Sequence, residues 1–301
     1  MKKRDFLTLR DVSSDEMNLI LERAIQFKAG IDANKCPLIG KSVGLLFEKA
    51  STRTRVSLEV GIYQLGAKAI YMNAKEIQIG RGETIHDTAK VLSRYLDAVV
   101  IRTYSHDTLR EFASHSSIPV VNGLSDSHHP CQALGDLMTI IEKKGRLRDI
   151  RLAYVGDGNN VANSLIEAAA MMGINFTLAC PKGYEPSSDI LEKAAMSDSD
   201  IAVVREPREA VQNADVVYTD VWVSMGQEKE ADKKKERFKK YQLNSELISY
   251  ANKDVLVLHC LPAHRGEEIT DEVIDGPRSA VFDQAENRLH TQKALLEFLL
   301  T

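Results

Sequence analysis

An α/β fold of two doubly wound parallel-sheet domains with an active-site cleft between them is predicted by three observations. Short β-rich runs alternate with helical patterns along the whole chain. At 301 residues the chain exceeds the usual size of one compact domain. The chemically unusual residues follow the apolar runs, where sheets of this kind hold ligands.

In the first half the strand candidates are Ser42 to Phe47, Ala69 to Met72, Ala98 to Thr103 and Pro119 to Asn122. Those of the second half are Arg151 to Val155, Asn175 to Ala179, Ile201 to Val204, Val216 to Thr219, Val255 to His259 and Ala280 to Phe282. Helical patterns separate them, which implies parallel pairing through crossover helices. The helical stretch Pro130 to Lys144 is expected to bridge a first domain, residues 1–130, and a second, residues 131–285. The last helix, with Ala294, Leu295, Phe298 and Leu299 on an apolar stripe, is expected to return within 286–301 to the first domain. The run Gln227 to Lys240 interleaves both signs of charge and reads as a solvated helix.

Composition narrows the class. A formal net charge of −4 gives no general attraction to nucleic acid or to an anionic membrane, so any anion site must be built locally. Phe6 to Asp11 is too polar for the apolar core of a secretion signal, and no stretch reaches membrane-spanning length. The cysteines Cys36, Cys131, Cys180 and Cys260 are scattered, without zinc-like pairing, and read as reduced thiols of a cytoplasmic protein.

The segment Ser51-Thr52-Arg53-Thr54-Arg55 lies between a strand-like run and a helical one. Two arginines and three hydroxyls therefore crowd the first turn of a helix, where backbone N–H groups are unpaired and the macrodipole is positive. Cations there are unfavourable unless an anion meets them, so the segment reads as a phosphate seat. The plain alternative is an ordinary N-cap with its arginines in water.

Other motifs admit several readings. In His128-His129-Pro130-Cys131-Gln132, Pro130 suits a first helical turn and would place His129 and Gln132 at a helix N-terminus. A metal site would need His128, His129 and Cys131 to converge with His259, Cys260 and His264, without any supporting ligand spacing. The loop Gln78 to Thr84 carries two glycines around Arg81 and suits a lid, a subunit contact or a plain turn. Gly156-Asp157-Gly158-Asn159-Asn160-Val161 imitates a dinucleotide fingerprint, but it has Val161 at the third glycine position and no carboxylate after the next strand. In His259-Cys260-Leu261-Pro262, a nucleophilic Cys260 is opposed by the alternation of neighbouring side chains along a strand.

Taken together, Ser51 to Arg55, His129-Pro130-Cys131-Gln132, Asp220-Val221-Trp222-Val223-Ser224-Met225-Gly226 and His259-Cys260-Leu261-Pro262 closely resemble the signatures of the ornithine carbamoyltransferases. These belong to the aspartate/ornithine carbamoyltransferase superfamily. Order and spacing agree along essentially the whole chain, and no motif position departs from the pattern.

The resemblance implies that Ser51, Thr52, Arg53, Thr54 and Arg102 hold the phosphate of carbamoyl phosphate, with Thr54, Arg102 and His129 around its carbonyl oxygen. Gln132 and the Leu261 carbonyl would meet the carbamoyl amino group, Arg288 and Cys260 would add contacts to carbamoyl phosphate, and Gln78 would come from a neighbouring subunit of a homotrimer or an assembly of trimers. Asn160, Asp220, Ser224 and Met225 would bind ornithine, with Asn160 at its α-carboxylate, Asp220 at its α-ammonium and Cys260 beside its side-chain amine. Arg53, Arg102, His129 and Cys260 are the implied catalytic set. The implied chemistry is direct attack of the deprotonated δ-amine on the carbamoyl carbon, giving citrulline and phosphate with neither metal nor organic cofactor. The group that takes the amine proton is left open. Alternatives are carbamoylation of putrescine, acetylornithine or aspartate, a nucleotide-dependent oxidoreductase, or a binding protein that keeps only the phosphate seat.

Overall fold

In the computed structural model, which describes residues 3–32, 35–77, 82–223 and 231–301, the β-rich runs form two all-parallel sheets. The chain divides into two compact units, one reaching Met138 and including Glu286–Thr301, the other Thr139–Ala285. Among the described residues no helix is long and apolar enough to cross a membrane.

The first unit begins with α1 (Ser14–Lys28), followed by β1 (Ser42–Phe47), α2 (Thr52–Gln64), β2 (Lys68–Asn73), α3 (Ile85–Leu92), β3 (Ala98–Arg102), α4 (His106–His115), β4 (Val120–Leu124) and the start of α5 (Pro130–Lys144). Its sheet has the order β2-β1-β3-β4. The central strands β1 and β3 are covered on both faces, which is why they read as nearly unbroken apolar runs. The chain leaves β1 toward β2 and then crosses back to β3. The switch point therefore lies at the carboxyl ends of β1 and β3, where Phe47 pairs with Arg102.

The second unit contains β5 (Arg151–Val155), α6 (Asn160–Met172), β6 (Asn175–Ala179), α7 (Ser188–Ala194), β7 (Ile201–Val204), α8 (Pro207–Val211), β8 (Val216–Thr219), α9 (Ala231–Phe238), α10 (Ser245–Ile248), β9 (Leu256–His259) and α11 (Asp271–Ile274). The order β7-β6-β5-β8-β9 puts its switch point between β5 and β8, adjacent to the end of β9. Gly173 closes α6 at φ 73, a left-handed position suited to a residue without a Cβ. On the side of β8 and β9 the core gathers Trp222, Phe238, Tyr241, Val257 and Ile269.

Two expectations need correction. Ala280 to Phe282 is not a strand: Ser279 makes one parallel bridge to Val257, Ala280 N–H donates to the Val257 carbonyl at 3.0 Å, and α12 (Val281–Leu300) begins at the next residue. Three apolar residues cannot by periodicity separate a strand from a helix start. The part of Gln227 to Lys240 that is described is not a plain solvated helix either, because Lys234 and Phe238 of α9 are buried. Alternating charge in the sequence conceals this anchored face.

The β4–α5 turn, which carries His128 and His129, is tied to α4. The His106 backbone N–H donates to Asp126 Oδ1 at 3.0 Å, its Nδ1 lies 2.9 Å from Ser125 Oγ, and its ring is 4.9 Å from that of His128. Burial, helped by His128 and Arg110, lowers the His106 imidazole to about 4. An unfolded histidine titrates near 6.5, so between about pH 6.5 and pH 4 the unfolded chain binds a proton that the native state refuses. Stability is full above that window and falls by about 3 kcal/mol across it as the pH drops. Urea unfolding of His106→Asn at pH 7 and pH 4 should show a correspondingly smaller loss on acidification; the wild-type loss retained in full would contradict this assignment.

Candidate functional site

Each switch point gathers one set of polar side chains. In the first unit, Ser51 is the N-cap of α2, its Oγ accepting the Thr54 N–H at 3.2 Å. Thr54 is buried, and its Oγ1 accepts from Arg288 Nη2 at 2.7 Å, which brings a cation of α12 to the same helix end. Arg102 ends β3 and is buried. Half-buried Arg53 makes neither a hydrogen bond nor an ion pair among the described residues. Lys49 stands over the Tyr104 ring at 4.2 Å, its ammonium shifted down by burial and then by the charge of Arg102. Four cations at one helix N-terminus repel each other and the positive end of the dipole, a cost that a bound dianion removes.

Arg55 does not join them. It bonds Glu59 at 2.9 Å, stacks over Tyr71 at 3.6 Å and is exposed. The sequence pairs it with Arg53, but a residue two positions further along a helix projects to another side. This corrects the expectation of two arginines in the seat.

Pro130 opens α5, and the His129 carbonyl accepts the backbone N–H groups of Gln132 and Ala133. His129 is buried, its imidazole held well below the usual range by burial and, in the same direction, by Arg288 and Arg102. It is therefore neutral near pH 7 and can donate a hydrogen bond without adding charge. Gln132 Nε2–H donates to Asp136 at 2.8 Å, which fixes the amide orientation, while buried Gln132 Oε1 has no hydrogen-bond partner among the described residues. An acceptor so placed suits the N–H group of a ligand. Cys131 faces the Asn122 carbonyl at 3.3 Å, and burial pushes its thiol up to about 12, so it is neither a ready metal ligand nor a nucleophile.

In the second unit, Asp220 follows β8 and is buried. Its carboxylate accepts from Asn159 Nδ2–H at 2.7 Å, from the Val221 N–H at 2.8 Å and from the Cys260 thiol at 2.8 Å. Asn159 also caps α6, its Oδ1 accepting the Val161 and Ala162 N–H groups, and Asn160 is the first residue of that helix. His259 is turned elsewhere: its Nδ1 accepts the Leu261 N–H at 2.9 Å and its Nε2–H donates to buried Glu268 at 3.0 Å. These bonds hold Leu261 at φ 53 before a cis bond to Pro262. Asp220, His259 and Cys260 lie close enough together to suggest a metal trio, but both ring nitrogens of His259 are already engaged.

Two family models match the chain. One, described as the carbamoyl-P binding domain of aspartate/ornithine carbamoyltransferase, covers residues 4–142, and the other, its Asp/Orn binding domain, covers residues 148–299. The chain belongs to the aspartate/ornithine carbamoyltransferase family. It is 52% identical to the ornithine carbamoyltransferase of Syntrophus aciditrophicus, over 99% of this chain and all of that relative. It is 50% identical to that of Thermococcus kodakarensis, over 99% of this chain and 96% of the relative. The solved ornithine carbamoyltransferase of Pyrococcus furiosus superposes with a TM-score of 0.95 at 49% identity, covering 99% of this chain and 97% of that one. That of Thermus thermophilus gives 0.92 at 42% identity, covering both chains fully.

In this member of the family, the first unit holds Ser51, Thr52, Arg53, Thr54, Arg102, His129, Gln132 and Arg288, and the second holds Asn160, Asp220, Cys260 and Leu261. Gln78, Ser224 and Met225 lie outside the described residues. The motif reading overlooked Lys49 and Lys234, and it noted Asp157 and Asn159 in their turn without giving them a role. Lys49 directly precedes Ala50 and the seat, a visible clue, whereas only tertiary structure brings Lys234 to Asp157.

Gly158 is required by close approach. A Cβ there would lie 2.3 Å from the Pro186 backbone nitrogen and 2.5 Å from the Glu185 carbonyl carbon, contacts that no rotamer relieves. Gly158→Ala should destabilise the protein by about 1–3 kcal/mol and lower its thermal midpoint by several degrees. An unchanged midpoint would mean that this turn yields freely.

Proposed function

We propose that the protein transfers the carbamoyl group of carbamoyl phosphate to the δ-amine of L-ornithine, giving L-citrulline and phosphate. The observation that carries the substrate assignment is the buried Asp220 carboxylate, held by Asn159, Val221 and Cys260 in a family defined by carbamoyl phosphate binding. A carboxylate at that depth suits an α-ammonium, which putrescine lacks and acetylornithine has blocked. The names of the relatives that align over the full chain point the same way.

In this reading the N–H groups at the start of α2, with Ser51, Thr52, Arg53, Thr54 and Arg102, bind the phosphate, and Arg288 supports Thr54. Thr54, Arg102 and neutral His129 face the carbamoyl oxygen. As the amine attacks, that oxygen gains charge and the bond to the phosphate oxygen breaks, so donors fixed around both lower the barrier without rearranging. Gln132 Oε1 and the Leu261 carbonyl receive the carbamoyl N–H groups and orient the carbon. Asn160 and Asp220 hold the amino-acid end of ornithine, with Ser224, Met225 and Cys260 assigned around it, and Gln78 assigned from a neighbouring subunit. Cys260 acts without becoming acylated: its thiol is given to Asp220, and His259 is not its base.

A homotrimer or an assembly of trimers is part of the proposal. It is supported by a stripe on α2, where Val56, Val60 and Tyr63 are 51%, 39% and 80% exposed at helical spacing. Light scattering should return the mass of a trimer or a multiple of it; a monomer would remove this part. The cytoplasmic assignment rests on the four free thiols.

Purified protein given carbamoyl phosphate and ornithine should form citrulline. Carbamoylation of aspartate, putrescine or acetylornithine in place of ornithine would redirect the substrate assignment. Arg53→Ala and Arg102→Ala should each lower kcat/KM by the equivalent of about 2–4 kcal/mol, since each removes a charge-assisted contact from a water-poor site. Asp220→Asn should raise the KM for ornithine while leaving carbamoyl phosphate binding nearly intact, and loss of both affinities would contradict the division of roles.

A further inference from the structure

The amino-acid subsite contains a second carboxylate that the reaction does not use. Asp157 lies in the β5–α6 turn, two residues before Asn159, whose N–H donates to the Asp157 carbonyl at 2.7 Å. Its side chain is largely buried and ion-pairs at 2.6 Å with Lys234 Nζ, itself buried on α9. The Lys234 ammonium stands over two aromatic rings, with Nζ 5.3 Å from the Tyr184 ring centroid and 5.8 Å from that of Phe238. The same turn is pinned where the Gly158 N–H donates to the Tyr184 carbonyl at 2.9 Å. Burial raises the Asp157 carboxyl above its ordinary value, Lys234 acts against that rise, and the charge of nearby Asp220 adds to it. Two carboxylates thus share one polar cluster, and Lys234, the cation paired with it among the described residues, bonds Asp157, while Cys260 and Val221 bond Asp220.

We propose that Lys234 is a positioning residue for the acceptor substrate: by neutralising Asp157 it leaves Asp220 as the carboxylate of the cluster available to the substrate ammonium, and it keeps Asn159 aimed at Asp220. The proposal rests on the assignment of Asp220 to ornithine made above. Without Lys234, an ionised Asp157 repels Asp220 and offers ornithine a competing, unproductive partner; a protonated Asp157 loses its anchor on α9 and frees the turn that carries Asn159. Both outcomes weaken productive ornithine binding and leave the phosphate seat untouched.

The test uses the full-length protein, with ornithine and carbamoyl phosphate varied separately, and the variants Lys234→Met, Lys234→Arg, Asp157→Asn, Lys234→Met with Asp157→Asn, and Asp220→Asn. Lys234→Met should lower kcat/KM for ornithine about tenfold or more while the KM for carbamoyl phosphate stays within about twofold. Lys234→Arg should recover most of the loss. Adding Asp157→Asn to Lys234→Met should also recover much of it, because removing the stranded carboxylate removes the need for a counter-cation, a rescue that a purely structural lysine would not give. Unchanged ornithine kinetics in folded Lys234→Met, or a double variant no better than the single one, overturns the proposal. If Lys234→Met does not fold, Asp157→Asn decides: it strands the lysine beside Asp220 and should weaken ornithine selectively, so normal ornithine kinetics there also overturns it. Asp220→Asn separates the two levels, since ornithine kinetics indifferent to Asp220 would remove the site assignment itself, whereas an effect at Asp220 without one at Lys234 removes only the role of the lysine.

Discussion

The arrangement on which the rest depends is the accumulation of positive charge at the start of α2. Arg53, Arg102, Arg288 and Lys49 approach an end of a helix that is already electropositive, while the hydroxyl oxygens of Ser51 and Thr54 accept from the Thr54 N–H and from Arg288 and keep their own O–H groups to donate. Folding such a cluster without an anion is costly, because burial and neighbouring cations both disfavour ionisation, as at Lys49, lowered first by burial and then by Arg102. The topology accounts for its location: the crossover from β2 back to β3 opens a notch beside β1, and the chain leaves both strands there. His129, kept neutral by burial and then by Arg288 and Arg102, supplies a donor that adds no repulsion.

The second unit applies the same topological rule with the opposite charge. Its switch point, between β5 and β8, collects Asp157, Asn159 and Asp220, with Cys260 arriving from β9 next door. Here the buried charge is negative, and each carboxylate is accounted for by named donors: Asn159, Val221 and Cys260 on Asp220, and Lys234 on Asp157. Cations at one switch point and carboxylates at the other are what a reaction between a phosphorylated carbamoyl donor and an amino acid requires of its binding groups. Glu268 extends the order outward, fixing His259 and through it the Leu261 backbone.

Much of this was legible in the chain. Strands buried on both faces, such as β1, β3 and β5, declare themselves as apolar runs, and Ser51 and Pro130 announced the helix starts that carry the phosphate seat and His129. Local pattern failed where three-dimensional context decides. Ala280 to Phe282 looks like a strand yet starts α12, because a single bridge at Ser279 is all that the edge of β9 takes. Arg55 looks like a partner of Arg53, but helical geometry sends it to Glu59 and Tyr71. Lys234 looks solvated among its charged neighbours, and only the aromatic pair Tyr184 and Phe238 together with Asp157 shows it to be anchored. Residues that act through partners distant in the chain leave no mark on spacing.

The most direct test of the central claim is a crystal structure of the protein soaked with carbamoyl phosphate. The account predicts the phosphate at the N-terminus of α2, its oxygens about 3 Å from the backbone N–H groups there and from the guanidinium groups of Arg53 and Arg102. Phosphate density elsewhere, with Arg53 turned outward into solvent, would contradict it.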